Sequence, residues 1–244
     1  MRKPHVAFPK LVPASFVARP NRFLVLAEVE GVIVRAASRD PGRLTGVLVP
    51  GTELRLEAAT NPARATAFTV VLARHRRRWI CLIPALANQV FAAALMDRAA
   101  PGLKRARVLE REVPFGHSRF DFRLAEPGGI ERLVEVKSVA CASGRLGLFP
   151  DAPTTRGRRH VEELIRHRER GGEAGLVFIA QRSDIDAVAP HMAIDPEFGH
   201  ALQSAQRAGV LILAYGCRVT LRGCWLERQL PVLFPIPAPA ASAP

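Results

Sequence analysis

The sequence predicts an α/β protein of two domains, in which a small β-barrel precedes a mixed-sheet α/β domain. Residues 22–84 contain short β-patterned segments and turn signals without a helical period, which is typical of a small barrel. From residue 85 onward, helical and strand patterns follow one another, which is typical of a mixed sheet packed against helices. We therefore divide the chain into an arm (1–20), a barrel (21–84), an α/β domain (85–230) and a Pro/Ala-rich tail (231–244).

Strand-like alternation supports the barrel prediction. The five predicted strands are Phe23–Glu28, Gly31–Ala36, Glu53–Ala58, Thr66–Arg74 and Arg78–Ile83. Five strands in about 60 residues favour a barrel of the oligonucleotide-binding (OB) type, although another small barrel would give the same pattern. Residues 1–20 are interrupted by prolines, so we predict an irregular arm there.

The second domain is predicted from a change of period. Its predicted helices are Leu86–Met96, Thr155–Arg170 and Pro196–Arg207. Its predicted strands are Ala106–Val113, Phe120–Leu124, Arg132–Val139, Ala174–Ala180 and Val210–Tyr215, the last taken as the final core strand. This order of elements predicts a mixed sheet with helices packed on it.

The composition favours a polyanionic partner. The chain holds 35 Lys and Arg against 22 Asp and Glu, a formal net charge of +13. Neutralising phosphates releases condensed counterions, so this excess favours nucleic acid; drift in a GC-rich genome would also raise the arginine content. The four cysteines lack metal-ligand spacing, and no apolar run approaches the roughly 20 residues of a membrane span. We expect a cytoplasmic protein that does not enter a membrane.

Three polar side chains on neighbouring predicted strands form the candidate chemical site. Glu135 and Lys137 are two residues apart, so they share one face of a strand, and Asp121 lies on the strand before it. Two carboxylates suit one Mg²⁺ or Mn²⁺ ion, and an ammonium suits the charge that develops on a phosphate. Lys137 is one of only four lysines in this arginine-rich chain, which favours a role for a compact ammonium. A simple ion pair between strands is the competing interpretation.

Three sequence blocks resemble a known family. They are Phe115–Phe122 (FGHSRFDF), Val134–Ser138 (VEVKS) and Phe149–His160 (FPDAPTTRGRRH). The later segments Ile194–Pro196, Gly209-Val210 and Leu213–Tyr215 fit the same pattern. On these residues the chain is similar to the sugar fermentation stimulation protein A family, from about residue 22 to residue 233.

The resemblance implies an OB-type barrel followed by a PD-(D/E)xK (restriction-endonuclease-like) domain, and DNA binding linked to sugar-utilisation genes. It implies that Asp121 bridges the metal, that Glu135 is the acidic residue of the (D/E)xK pair and that Lys137 is its lysine. Glu112 matches a further acidic position and is a candidate extra ligand or base-orienting group. Catalysis does not follow from the fold alone.

Candidate DNA-binding residues come from three basic segments. Relatives carry roughly H-x-P-N-(T/P)-G-R where this chain reads Ala37–Arg43, so we expect Arg39 and Arg43 to replace the lost side chains there. Arg76 and Arg77 lie in a predicted hairpin tip, and Arg156, Arg159 and His160 lie in the first turns of a predicted helix. We expect Asp151 to cap that helix.

Three functions remain open from the sequence. The first is a metal-dependent DNA-binding protein that cleaves phosphodiester bonds at Asp121, Glu135 and Lys137. The second is a non-catalytic DNA-binding regulator of sugar-metabolism genes, in which the acidic cluster is structural. The third, a metal hydrolase acting on a small phosphorylated metabolite, would require a closed pocket.

Overall fold

A computed structural model describes residues 5–61 and 63–234. Among the described residues up to residue 84, the regular elements are all strands. They are β1 (Val6–Ala7), β2 (Val12–Asn21), β3 (Leu24–Val29), β4 (Val32–Ala37), β5 (Glu53–Ala58), β6 (Phe68–His75) and β7 (Arg78–Cys81).

From residue 85 to residue 234 the chain mixes helices and strands. The helices are α1 (Leu86–Met96), α2 (Thr155–Glu169) and α3 (Pro196–Arg207). The strands are β8 (Arg107–Phe115), β9 (Ser118–Glu126), β10 (Ile130–Val139), β11 (Ala142–Ser143), β12 (Leu146–Phe149), β13 (Glu173–Ala180), β14 (Ala187–Pro190), β15 (Leu211–Thr220) and β16 (Gly223–Leu230). No helix in this part of the chain is long and apolar enough to cross a membrane.

The N-terminal barrel is closed by five strands. Strands β4, β3, β2, β5 and β6 pair in that order, and Ala36 on β4 pairs in parallel with Phe68 on β6 to close the ring. Inward-facing aliphatic side chains such as Val25, Leu54 and Leu56 fill its interior and are fully buried. Strand β7 extends the sheet beyond β6, and the basic run between these two strands forms their hairpin turn, as predicted.

The prediction of an irregular arm over residues 1–20 was wrong. Strand β2 begins at Val12 within that segment, and it pairs with both β3 and β5 at the centre of the barrel sheet. Ala14 and Phe16 are buried while Ser15 and Val17 are exposed, so the segment has the alternation of a half-buried strand. The prolines at 13 and 20 lie near the two ends of the strand and do not prevent its pairing.

The second domain is built on a seven-stranded mixed sheet in the order β1-β16-β15-β13-β10-β9-β8. Strand β13 pairs in parallel with β10 and β15, and the other pairs are antiparallel. On β13, Leu176 and Phe178 pack with α2 and α3, whereas Val177 and Ile179 pack with α1. The helices therefore cover opposite faces of the sheet, which explains the continuous apolar run of its central strand.

Two parts of the C-terminal prediction need correction. Residues 210–215 do not form the final core strand, because β16 follows and pairs antiparallel with β15. The start of the predicted tail at 231–234 is ordered against β14: Leu233 N donates to the Val188 carbonyl at 2.8 Å. The rest of that predicted tail, 235–244, lies outside the described residues.

Candidate active site

The predicted acidic cluster is brought together at the junction of β9 and β10. Asp121 lies on β9, and Glu135 and Lys137 lie on β10, which pairs antiparallel with it. Val134 and Val136 pack on the opposite face with α1, so the predicted separation of the two faces of β10 is confirmed. The two strands therefore place both carboxylates and the ammonium in one region.

Asp121 is held by two donors. Its Oδ2 atom accepts a hydrogen bond from the Val136 backbone N–H at 2.7 Å, and its Oδ1 atom accepts one from the Asn88 side chain on α1 at 2.5 Å. Burial, with the nearby Glu135 charge, raises the pKa of Asp121 to about 6, although both hydrogen bonds oppose that shift. A partly buried carboxylate of this kind is stabilised in its charged form by a cation.

Glu135 has one occupied oxygen and one free oxygen. Lys137 Nζ donates to Oε1 at 2.7 Å, and His160 Nδ1 lies 2.5 Å from the same atom. Oε2 is buried and accepts no hydrogen bond from the described residues. Burial alone would raise the pKa of Glu135, but the His160 hydrogen bond and the Lys137 charge outweigh it and hold that pKa below its ordinary value.

The tautomer of His160 follows from the hydrogen bonds of its two ring nitrogens. Arg156 Nε–H donates to His160 Nε2 at 3.3 Å, so Nε2 is the unprotonated nitrogen. Nδ1 therefore carries the proton and donates it to Glu135. The side chain of His160 is only 3% exposed, and both ring nitrogens are engaged. The sequence analysis predicted His160 as a DNA-binding residue. In the structure it is instead buried beside the acidic cluster.

Glu112 does not join the cluster. Arg111 pairs with Phe122 and Val113 pairs with Phe120, so Glu112 stands opposite Asp121 in the register of β8 and β9. Its backbone, however, adopts a left-handed φ of 56°, and its side chain is 59% exposed and ion-paired with Arg119 at 2.9 Å. The expectation that Glu112 supplies a ligand or orients a base in the cluster is therefore not met in this structure.

A cleft of about 650 Å³ opens above the cluster between the two domains. Asp121, Glu135 and Lys137 line it from the C-terminal domain, and the barrel loop 40–42 lines it from the other side. The cleft is partly open to solvent, and the exposed residues Arg22 and Arg156 are part of its lining. This partial opening does not match the closed pocket that the metabolite-hydrolase hypothesis requires.

Asp151 connects the two domains instead of capping α2. The cap is Thr154, whose Oγ1 accepts from the Gly157 N–H at 3.0 Å. The carboxylate of Asp151 packs directly against Gly42 of the barrel loop. Burial raises the pKa of Asp151, and a backbone hydrogen bond from Leu44 partly opposes this.

The barrel loop is ordered by a single arginine. Arg19 donates to the carbonyl oxygens of Asp40, Gly42 and Arg43 at 2.8, 2.5 and 2.9 Å. The Asp40 carboxylate folds back onto the Gly42 N–H at 2.9 Å, and burial raises its pKa to about 6. This network holds the loop in position against the cleft.

The remaining predicted DNA-binding arginines are all exposed. Arg156 lines the cleft, whereas Arg39 and Arg43 line smaller depressions beside the barrel loop. Arg76 and Arg77 form the turn between β6 and β7, and Arg159 lies on the exposed side of α2. Their contact with DNA stays a prediction.

Sequence reasoning gave no role to Asn88, which contacts Asp121 across 33 residues of chain. It lies on the predicted helix Leu86–Met96, and no local pattern indicates which residue it contacts. The ordering of the loop by Arg19 had no sequence signal, because it acts through backbone carbonyls.

The closed barrel, the mixed sheet and the acidic cluster together define a two-domain protein with an OB barrel and a restriction-endonuclease-like domain. Family models match both parts: "SfsA N-terminal OB domain" over residues 17–82 and "Sugar fermentation stimulation protein RE domain" over residues 85–223. The chain belongs to the sugar fermentation stimulation protein family.

Individual relatives agree with this assignment. A sugar fermentation stimulation protein homolog from Moorella thermoacetica is 45% identical over 210 residues, covering 86% of this chain and 90% of the relative. A homolog from Chloroflexus aggregans is 42% identical over 239 residues, covering 98% and 91%. The solved structure of Pyrococcus furiosus SfsA in complex with Ca²⁺ is 28% identical, with a TM-score of 0.87, covering 96% of this chain and all of that one.

Proposed function

We propose that this protein binds DNA and hydrolyses phosphodiester bonds with one divalent cation, Mg²⁺ or Mn²⁺, held by Asp121 and Glu135. The observation that carries the proposal is the buried Oε2 atom of Glu135, which has no donor among the described residues although it lies in the cleft cluster. A buried oxygen without a partner is costly, and a cation would satisfy it. The Ca²⁺ complex of the Pyrococcus furiosus relative supports a divalent-cation site in this fold.

The donor set fits a hard cation. Within residues 5–61 and 63–234, no group of three or more His, Cys, Asp or Glu side chains could enclose a metal ion. Mg²⁺ commonly takes one or two carboxylates and completes its shell with water and substrate phosphate, so two carboxylates suffice. Such an ion supplies a polarised phosphoryl oxygen and a bound water of lowered pKa.

In this proposal, protein side chains stabilise the phosphate charge and orient the carboxylates. Lys137 uses one N–H on Glu135, so its other donors are available to the negative charge that develops on the phosphate. Asn88 fixes the orientation of Asp121 through Oδ1, and the Val136 amide fixes Oδ2. Arg156 stands at the cleft edge, where its guanidinium can contact a neighbouring phosphate.

A second candidate function is DNA binding without catalysis. It is favoured because protein donors already satisfy three of the four carboxylate oxygens in the cluster. Asp121 accepts two hydrogen bonds, and Oε1 of Glu135 accepts from Lys137 and His160. In that case the excess of basic side chains, a net charge of +13, would bind DNA, and the carboxylates would only stabilise the folded structure.

Incubation of labelled single- and double-stranded DNA with the protein in Mg²⁺, Mn²⁺ or chelator separates the two functions. We expect cation-dependent cleavage that falls at least about 100-fold in Glu135→Gln. The matched control is Glu131→Gln, the same substitution at an exposed position of the same strand. Equal cleavage by Glu135→Gln and wild type would overturn the proposed centre. DNA binding without any cleavage by the wild type would establish the second function.

A further inference from the structure

A second large concavity lies at the C-terminal end of α1, outside the cleft. It is a groove of about 820 Å³ between the last turn of α1, the following loop and the edge strand β8. We call it the basic groove, because five of its lining residues are cations and none is an acid. The cations are Arg98, Lys104, Arg105, Arg107 and Arg111.

The charges of the basic groove have no ion-pair partner among the residues that the structure describes. All five cations are exposed, and none forms an ion pair within the part of the chain that the structure describes. By contrast, Arg119 and Arg123 on the adjacent strand β9 both pair with glutamates. Arg111 is held in place by the face of Phe122, whose ring centre lies 5.4 Å from its guanidinium carbon. Clustered unpaired cations create a positive potential that attracts a polyanion.

The groove and the cleft are joined by α1. Near its N-terminal end Asn88 contacts Asp121, and at its other end Leu95 and Met96 line the groove. Leu95 lies seven positions after Asn88, which at 1.5 Å per residue corresponds to about 11 Å along the helix. Duplex DNA carries a phosphate every 3.4 Å along each strand, so the two sites are about three phosphates apart.

We propose that the basic groove binds the phosphodiester backbone of the DNA molecule whose scissile phosphate enters the cleft. The proposal rests on the proposed function and adds a second contact region to it. An exposed methionine (Met96, 82% exposed) and apolar side chains form the rest of the lining, so Arg and Lys are its only polar side chains. Clustered cations of this kind contact phosphate oxygens, and such contacts position the duplex without reading its sequence.

The test removes two groove charges and compares them with two charges elsewhere. Lys104→Ala/Arg105→Ala is the groove variant. Arg170→Ala/Arg207→Ala is the control: these residues lie at the C-terminal ends of α2 and α3, on the opposite face of the sheet. Both variants lose the same net charge. Binding of a labelled 20-mer duplex is followed by fluorescence anisotropy in chelator, across a range of salt concentrations.

We expect the groove variant to bind the duplex at least about tenfold more weakly than the control. Its plot of log affinity against log salt is expected to be shallower by about 2, because each lost phosphate contact removes about 0.9 from the slope. Affinity and slope equal to those of the control variant would overturn the proposal.

Failure of this inference is distinguishable from failure of the proposed function. If the wild type binds and cleaves DNA, and both double variants behave alike, only the basic groove is excluded. If the groove variant binds weakly while the wild type cleaves no DNA, the groove stands and the catalytic proposal falls. A wild type with no affinity for DNA would overturn both. At saturating DNA and Mn²⁺, the groove variant should retain single-turnover cleavage that Glu135→Gln loses.

Discussion

The Nδ1 atom of His160 lies 2.5 Å from Oε1 of Glu135, which links helix α2 to the acidic strand of the sheet. Because Arg156 donates to the other ring nitrogen, the imidazole is fixed as the tautomer that donates to the carboxylate. His160 and Lys137 together engage Oε1 and leave Oε2 without a partner. If Glu135 binds the proposed cation, His160 would act as a positioning residue, through its hydrogen bond to Glu135.

Replacing His160 should weaken the site through Glu135. In His160→Leu, Glu135 loses its largest stabilising hydrogen bond, so its pKa should rise and the acidic limb of the cleavage pH profile should move to higher pH. The free energy of unfolding near pH 7 should fall by about 1–3 kcal/mol. His160→Asn retains an N–H near Nδ1 and should restore the pH profile. A profile shifted equally in both variants would contradict the positioning role.

The carboxyl group of Asp121 should make the folded protein less stable as pH rises through the mildly acidic range. Its pKa is about 6 in the folded state against 3.8 in the reference state, so the folded protein retains a proton that the unfolded chain loses. Stability should therefore fall between about pH 4 and pH 6, by up to about 3 kcal/mol from this group. The Asp121→Asn variant should lack this pH-dependent loss of stability, so it should be more stable than wild type at pH 7.

Urea unfolding at pH 4, 5, 6 and 7 checks this expectation. Asparagine at 121 can accept from the Val136 N–H and donate to the oxygen of a flipped Asn88 amide, so the substitution can keep a hydrogen bond to each of these two partners. Glu28→Gln, at an exposed barrel position, is the control and should leave the pH dependence unchanged. An Asp121→Asn variant with the wild-type slope would show that Asp121 does not titrate in this window.

Local periodicity was sufficient to predict the acidic cluster and most core strands. Glu135 and Lys137 share a face because they are two residues apart, and this holds in any strand. Contacts between distant segments could not be predicted from local periodicity. Asn88 contacts Asp121 because α1 packs over β9 and β10, which is a tertiary arrangement. His160 was singled out by its sequence block, but its role depends on where α2 docks on the sheet.

The missed elements have a different cause. Strand β2 was missed because its segment contains prolines. A proline disrupts a strand only where its missing N–H would have donated to a neighbouring strand, and the sequence alone does not show this. Its pairing with β3 and β5 is a tertiary property that overrides the local signal. Glu112 was misplaced because a left-handed backbone at one position of β8 redirects a side chain that the register alone would set beside Asp121.

A divalent cation should stabilise the protein in a manner that depends on Glu135. A ligand that binds only the folded state adds about 2.7 kcal/mol when its concentration is 100 times its Kd, so thermal unfolding in Mg²⁺, Mn²⁺ or Ca²⁺ should shift upward. Glu135→Gln and Asp121→Asn should lose this shift, and Glu131→Gln should keep it. Equal stabilisation of all four proteins would place the cation elsewhere. The measurement is independent of catalysis, so it also tests the site in a non-catalytic DNA-binding protein.

Gly42 should be essential to the contact between the two domains. A Cβ atom at this position would overlap the Asp151 carboxylate, whereas one at Gly46, further along the same barrel segment, would meet nothing within 4 Å. Gly42→Ala should therefore lower the free energy of unfolding by about 1–3 kcal/mol, and Gly46→Ala should change it little. Because the clash is with one side chain, Asp151→Ala should relieve it, so the double variant should be more stable than the sum of the single effects implies. Denaturant unfolding of the four variants forms a double-mutant cycle with one control. A strictly additive cycle would mean that the barrel loop moves away from Asp151 when Gly42 is replaced, and would contradict a fixed contact across the cleft.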